Sequence, residues 1–233
     1  MDFHLEFIAA INNILDLESG YIQIILTSLS VSIAAIIISF LISIPMASIL
    51  ATKDFYGKSF LIVLVNTSMA LPPVVVGLLL YIIFSNQGVL GSYNLLYTVN
   101  AMIIAQTILI TPILISLSQV TLERYYQKYN NLLLSMHASY IKRLATLIWE
   151  AKYALIINLL VGFGRALSEV GAIIIVGGNI AHLTRTMTTG IVLETSRGDL
   201  ASAMSLGITL ITIALFVNII LYSLKAYGEK NLV

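Results

Sequence analysis

Three stretches of this chain carry no Asp, Glu, Lys or Arg: those between Glu18 and Lys53, between Lys58 and Glu123, and between Asp199 and Lys225. About 20 apolar residues carry a helix across a bilayer. Runs this long and this numerous exceed what a soluble core needs. Charged residues make up 10% of the chain, against roughly 25% in an ordinary soluble domain, and the mean hydropathy is +0.98. The bilayer is therefore the solvent for most of the chain. The runs are continuously apolar, which predicts helices; a barrel would alternate polar and apolar residues in short segments.

The expected architecture is an all-α membrane protein with five spanning helices, at 21–51, 59–84, 99–119, 153–179 and 201–224. Residues 3–15 (Phe3, Phe7, Ile8, Ile11, Ile14, Leu15) have helical spacing but are too short to span, and predict an interfacial helix. The expected division is an N-terminal segment over 1–20, one transmembrane domain over 21–225 with its largest loop at 120–152, and a tail over 226–233. A cleaved leader begins basic; Asp2, Glu6, Asp16 and Glu18 make one unexpected here.

Basic residues set the orientation. Lys53, Lys58, Arg124, Lys128, Lys142, Arg143, Lys152, Lys225 and Lys230 would lie on one side, Arg185 and Arg197 on the other. The N-terminus is expected outside and the tail in the cytoplasm. No basic face interleaved with aromatics suggests a nucleic-acid partner. There is no cysteine, and His4, His137 and His182 are scattered, so no metal site is expected. Gly57-Lys58-Ser59 ends like a phosphate loop, but Thr52 stands where that pattern needs glycine. Any ATP hydrolysis must then occur on another chain. No nucleophile, base and oxyanion set is readable, so an enzyme is disfavoured.

Several features bear on packing and on a pathway. Ser28, Ser32, Ala35, Ser39, Ser43 and Ala47 form a small-residue ridge on the first span, as close helix contact in lipid requires. Pro72, Pro73 and Pro112 remove backbone donors inside spans and predict bends, structural or lining a path. Arg165 and Glu169 interrupt the fourth span. Their spacing stacks them on one helix face, and pairing lowers the cost of at least about 2.5–3.5 kcal/mol for a charge at mid-bilayer. Either a self-satisfied ion pair or a polar lining or gate answers to this pattern. The hydroxyl-rich segment from Thr184 to Glu194 predicts a short helix or re-entrant turn. Residues 132–140 predict a short amphipathic helix of the kind that docks in a partner's groove.

Three segments carry a resemblance to a known family: Ala70-Leu71-Pro72-Pro73-Val74-Val75-Val76-Gly77, Thr98 to Gln106, and Gly162-Phe163-Gly164-Arg165-Ala166-Leu167-Ser168-Glu169-Val170-Gly171 through Asn179-Ile180. The chain resembles the binding-protein-dependent ABC permeases of the molybdate/tungstate/sulfate group. Its continuation, Thr184 to Thr189 and Leu193 to Asp199, is most similar to the tungstate permeases. The resemblance implies the type I importer permease fold, alternating access and an oxyanion path. An anion path should offer donors, which makes Arg165, Asn179 and Thr184 the candidates, with Glu169 holding Arg165. The resemblance also implies a homodimer, paired cytoplasmic ATPase subunits that use ATP and Mg, an extracytoplasmic binding protein, and a bacterial or archaeal cytoplasmic membrane. No cofactor is expected on this chain. A coupling helix is placed at about 131–143, with Leu134, Ser135, Met136, His137, Ala138 and Ser139 facing the ATPase. There the chain departs from the family: its acidic-Ala-Ala start reads Asn131-Leu132-Leu133, and its Leu-Gly-Ala reads Met136-His137-Ala138. Molybdate and sulfate are the alternative cargoes; an ATP-independent secondary transporter or channel is the rival class.

Overall fold

The computed structural model describes residues 3–16 and 19–230. The last residues of the expected tail, 231–233, lie outside the described residues, as do the acidic positions 2 and 18. Ten α-helices are described: α1 (Phe3–Asp16), α2 (Ser19–Thr52), α3 (Lys58–Ser68), α4 (Pro73–Phe84), α5 (Val99–Ser135), α6 (Tyr140–Glu150), α7 (Lys152–Leu167), α8 (Gly171–Gly177), α9 (Met187–Arg197) and α10 (Leu200–Lys230). A short 3-10 turn, Gly91–Tyr93, lies between α4 and α5. Among the described residues no strand occurs.

Three helices, α2, α5 and α10, are each long and apolar enough to cross a membrane unbroken. The other two expected spans are interrupted. The span expected at 59–84 is α3 and α4, which meet at 94°. Pro72 and Pro73 thus end one helix and start another, where bends in a continuous helix were expected. Pro72 is extended (ψ 123°) and Pro73 sits in the first turn of α4, where a missing N–H costs nothing. The span expected at 153–179 is α7 and α8 with a gap at residues 168–170. α7 also joins α6 at 66°. Pro112, by contrast, lies inside α5, which runs through it and continues to Ser135, well beyond the expected end at 119.

The small-residue ridge of α2 packs on α5, the most extensive helix pair of the fold. Ala35 and Ala47 are fully buried. Ser39 and Ser43 donate to the backbone carbonyls of Thr107 (3.3 Å) and Thr111 (3.1 Å) on α5. α5 also touches α7, α8, α3, α6 and α4, so it is the post around which the broken spans are arranged. One apolar cluster, including Val31, Val76, Met102 and Ile173, joins α2, α4, α5 and α8. A second, including Ile36, Leu114, Phe163 and Leu206, joins α2, α5, α7 and α10. The N-terminal helix α1 forms as expected and packs against α10.

Candidate functional site

The break between α7 and α8 holds the charged pair. α7 stops at Leu167, so Arg165 and Glu169 do not share one helix as the four-residue spacing predicted. At the end of α7 the Ser168 hydroxyl turns back onto the Arg165 carbonyl (3.0 Å). The pair forms nonetheless: the Arg165 guanidinium lies 3.5 Å from the Glu169 carboxylate. The two ends differ in setting, since the Arg165 side chain is 47% exposed and that of Glu169 only 7%.

Backbone groups freed at a break inside the apolar region need partners from the protein. Gln106 of α5 supplies one, donating from Nε2 to the Ala166 carbonyl (2.8 Å). Thr188 of α9 supplies another, donating to the Glu169 carbonyl (2.9 Å). The Glu169 carboxylate accepts a long bond from the Ala172 N–H in the first turn of α8 (3.5 Å). Ser28 of the α2 ridge accepts the Met187 N–H at the start of α9 (2.7 Å). α9 itself begins with a reciprocal cap, in which Thr186 and Thr189 each accept the other's N–H. Gln106, Glu169, Ser28, Ser32, Thr186 and Thr188 line a small polar cavity behind the pair. Because Nε2 faces a carbonyl, Gln106 presents Oε1 as an acceptor; that atom is buried without a protein partner.

Asn179 and Thr184 sit at the far end of α8, in the loop to α9, not beside Arg165. Asn179 has a left-handed backbone (φ 49°) and donates to the Thr189 carbonyl (3.3 Å). Thr184 is fully buried; it accepts the Ile180 N–H (3.0 Å) and donates to the Gly177 carbonyl (2.5 Å). Its single hydroxyl proton is thereby spent on the loop. The first turn of α9 ties both ends of α8 together. Gln106 and Thr188 were not picked as site residues. Gln106 was visible as a lone amide in an apolar run, whereas nothing local in the sequence aims Thr188 at Glu169.

α8 is also clamped from the side. A Cβ on Gly77 of α4 would come within 2.9 Å of the Ala172 Cα, and one on Gly171 within 2.8 Å of Val74. The Pro-Pro break and the charged break are thus brought into backbone contact by two glycines. Beyond the α8–α9 loop, Tyr21, His182, Arg185, Glu194, Asp199 and Ser202 line an open polar pocket. Arg185 lies 3.9 Å from Glu194. Bonds from the Ser202 N–H, and then from its hydroxyl, hold the Asp199 carboxyl below the usual carboxylate range.

A second candidate region is the corner between α5 and α6. The single helix expected over 131–143 is instead the end of α5, a turn, and the start of α6. The Ala138 N–H bonds back to the Leu133 carbonyl (3.1 Å) and the His137 N–H to that of Leu134 (2.9 Å), the pattern of a helix stop built on a left-handed residue. That residue is His137 (φ 52°), at the position where the resembled family has glycine. The corner is pinned by Tyr140–Thr52 (2.9 Å) and Arg143–Asn130 (2.8 Å) hydrogen bonds. Leu134, Ser135, Met136, His137 and Ser139 are all exposed at its tip, and Ala138 is half-buried.

No protein-family profile matches the chain. Curated relatives do. The tungstate uptake permease TupB of Campylobacter jejuni is 43% identical over 74% of this chain and 72% of its own length. A probable anion ABC transporter permease of Haloferax volcanii is 37% identical, covering 87% and 90%. TupB of Peptoclostridium acidaminophilum is 35% identical over 94% and 96%. This chain belongs to the ABC transporter permeases. Further relatives at lower identity include molybdenum and sulfate permeases. The permease is a multi-pass membrane protein, and both the broken spans and the corner fall within the stretch that the longest of these matches covers.

Proposed function

We propose that the permease is the transmembrane subunit of an ATP-driven importer of tungstate. It works as a homodimer, with paired cytoplasmic ATPase subunits that use ATP and Mg and an extracytoplasmic binding protein that delivers the oxyanion. It sits in a bacterial or archaeal cytoplasmic membrane with its N-terminus outside. The observation that carries the cargo is the pair of tungstate uptake permeases among its relatives, one matching 94% of the chain. The α5–α6 corner faces the ATPase, and its movement re-opens the path inward by alternating access. The half-exposed guanidinium of Arg165, held by buried Glu169, is the donor for the anion. Asn179 retains one amide hydrogen toward the path, and Thr184 fixes the loop that carries it.

The test is ATP-driven tungstate uptake by cells expressing the permease with its ATPase and binding protein. Wild type should accumulate tungstate and Arg165→Ala should not, at equal membrane abundance. Uptake that persists without an ATPase would instead make this a secondary transporter. A second cargo, molybdate, is favoured by the 28% identical molybdenum permease of Haemophilus influenzae; competition of molybdate against tungstate uptake decides between them.

A further inference from the structure

We propose that the α5–α6 corner is an apolar tip within a basic collar, and that the ATPase groove receiving it has an apolar floor and an acidic rim. This rests on the reading of the corner as the ATPase contact. At the tip, Leu132, Leu134 and Met136 are 58%, 47% and 68% exposed, and Ile141 just beyond the turn is 78% exposed. Around them stand Lys53, Lys128, Lys142 and Arg143. No Asp or Glu occurs between Arg124 and Trp149, and Asn131 stands where the resembled family has an acid. Among the described residues none of these cations has a carboxylate within 4.0 Å; Asp54, beside Lys53, pairs with Lys58 instead (3.0 Å).

Two of the cations share one aromatic ring. The Lys53 Nζ lies 4.9 Å and the Arg143 Cζ 5.9 Å from the centre of the same Tyr140 ring. The ring attracts each of them weakly, and neither has a carboxylate partner among the described residues. The Arg143 Nε is buried without a partner, so the free monomer does not use all of its donors. Shape selects the class of partner. A helix lying in a membrane surface needs one continuous apolar stripe. Here Leu132 and Met136, four apart at the end of α5, share one face, while Leu134 lies on the opposite side and Ile141 follows beyond the turn, so the exposed apolar residues wrap the corner instead of forming one stripe. A convex apolar tip fits a concave groove, and a basic collar fits an acidic rim, which aids both encounter and discrimination between ATPases.

The experiment uses the full permease, in nanodiscs, and the ABC ATPase that purifies with it in stoichiometric amount. ATPase affinity is measured at about 50 and about 500 mM salt, where screening differs strongly. Wild-type affinity should fall at least about tenfold with salt. The double variant Lys128→Glu, Lys142→Glu should bind at least about tenfold more weakly at low salt and lose most of its salt dependence. Both side chains are exposed, so its thermal unfolding should match wild type; Lys128→Gln, Lys142→Gln should fall between. Met136→Ser should weaken binding without changing the salt dependence. A charge reversal that leaves ATPase affinity unchanged, or tightens it, overturns the acidic rim. So does a reversal whose only effect is weaker dependence on phosphatidylglycerol in the nanodisc, which would assign the collar to the membrane. If no ATPase purifies with wild type, the importer reading itself fails, and this inference with it.

Discussion

The α7–α8 break and the α5–α6 corner both interrupt helices, but they lean on the rest of the fold to different extents. At the break, local bonds from the Ser168 N–H to the Gly164 carbonyl (3.3 Å) and from the Glu169 N–H to the Ala166 carbonyl (3.2 Å) are supplemented by side chains from elsewhere: Gln106 from α5 and Thr188 from α9. At the corner, the helix end satisfies itself through two local backbone bonds around His137. The difference follows from solvent. Hydrocarbon offers an unpaired carbonyl nothing, so every group at the break needs a protein partner. The corner is exposed, so a local turn suffices and its side chains are left free to meet a partner. The break therefore depends on side chains from α5 and α9, whereas the turn of the corner closes on its own backbone and is only steadied by Thr52 and Asn130.

Removing one end of the ion pair should show the largest effect. Arg165→Ala leaves the buried Glu169 carboxylate without its cation, and thermal unfolding should report a loss of about 3 kcal/mol, the low end for a stranded buried charge. Glu169→Gln leaves only a half-exposed guanidinium behind and should cost clearly less. Equal losses would mean the two ends are equally solvated, against the exposures seen. Gly77→Ala forces α4 off the Ala172 backbone and should cost about 1–3 kcal/mol in the same assay. Gln106→Leu comes next: the Ala166 carbonyl loses one of its two donors and keeps the Glu169 N–H (3.2 Å), at about 1 kcal/mol, whereas Asn130→Ala at the corner should fall below that because water replaces the bond to Arg143. The smallest effect has the opposite sign. His137→Gly relieves a left-handed residue and should stabilise the permease by about 1 kcal/mol; a destabilisation would show that the His137 side chain is needed where it stands.

Much of this was legible in the sequence. The all-helical membrane architecture, the ridge packing of α2, the short helix α9 and the pairing of Arg165 with Glu169 were all read from apolar runs, small-residue spacing and intramembrane charge. The helix ends were less legible. Pro72 and Pro73 promised a bend and produced a 94° break, and the second half packs against α8 through Gly77. Pro112 lies inside α5, which continues through it. Around it, Ser39 and Ser43 of α2 bond to α5 carbonyls. Thr184 had the chemistry of an anion donor, but its proton closes a loop.

What the sequence determined alone is the solvent of each segment and the periodicity within it, since hydropathy and spacing are local properties. Where a helix stops inside the membrane, and which polar group faces a path instead of a neighbour, only the tertiary structure decided. In lipid that choice belongs to the residue on the next helix that can pair with the freed group. Gln106 and Thr188, about 60 and 20 positions from Glu169 in the chain, reach the break only once α5 and α9 are folded against it.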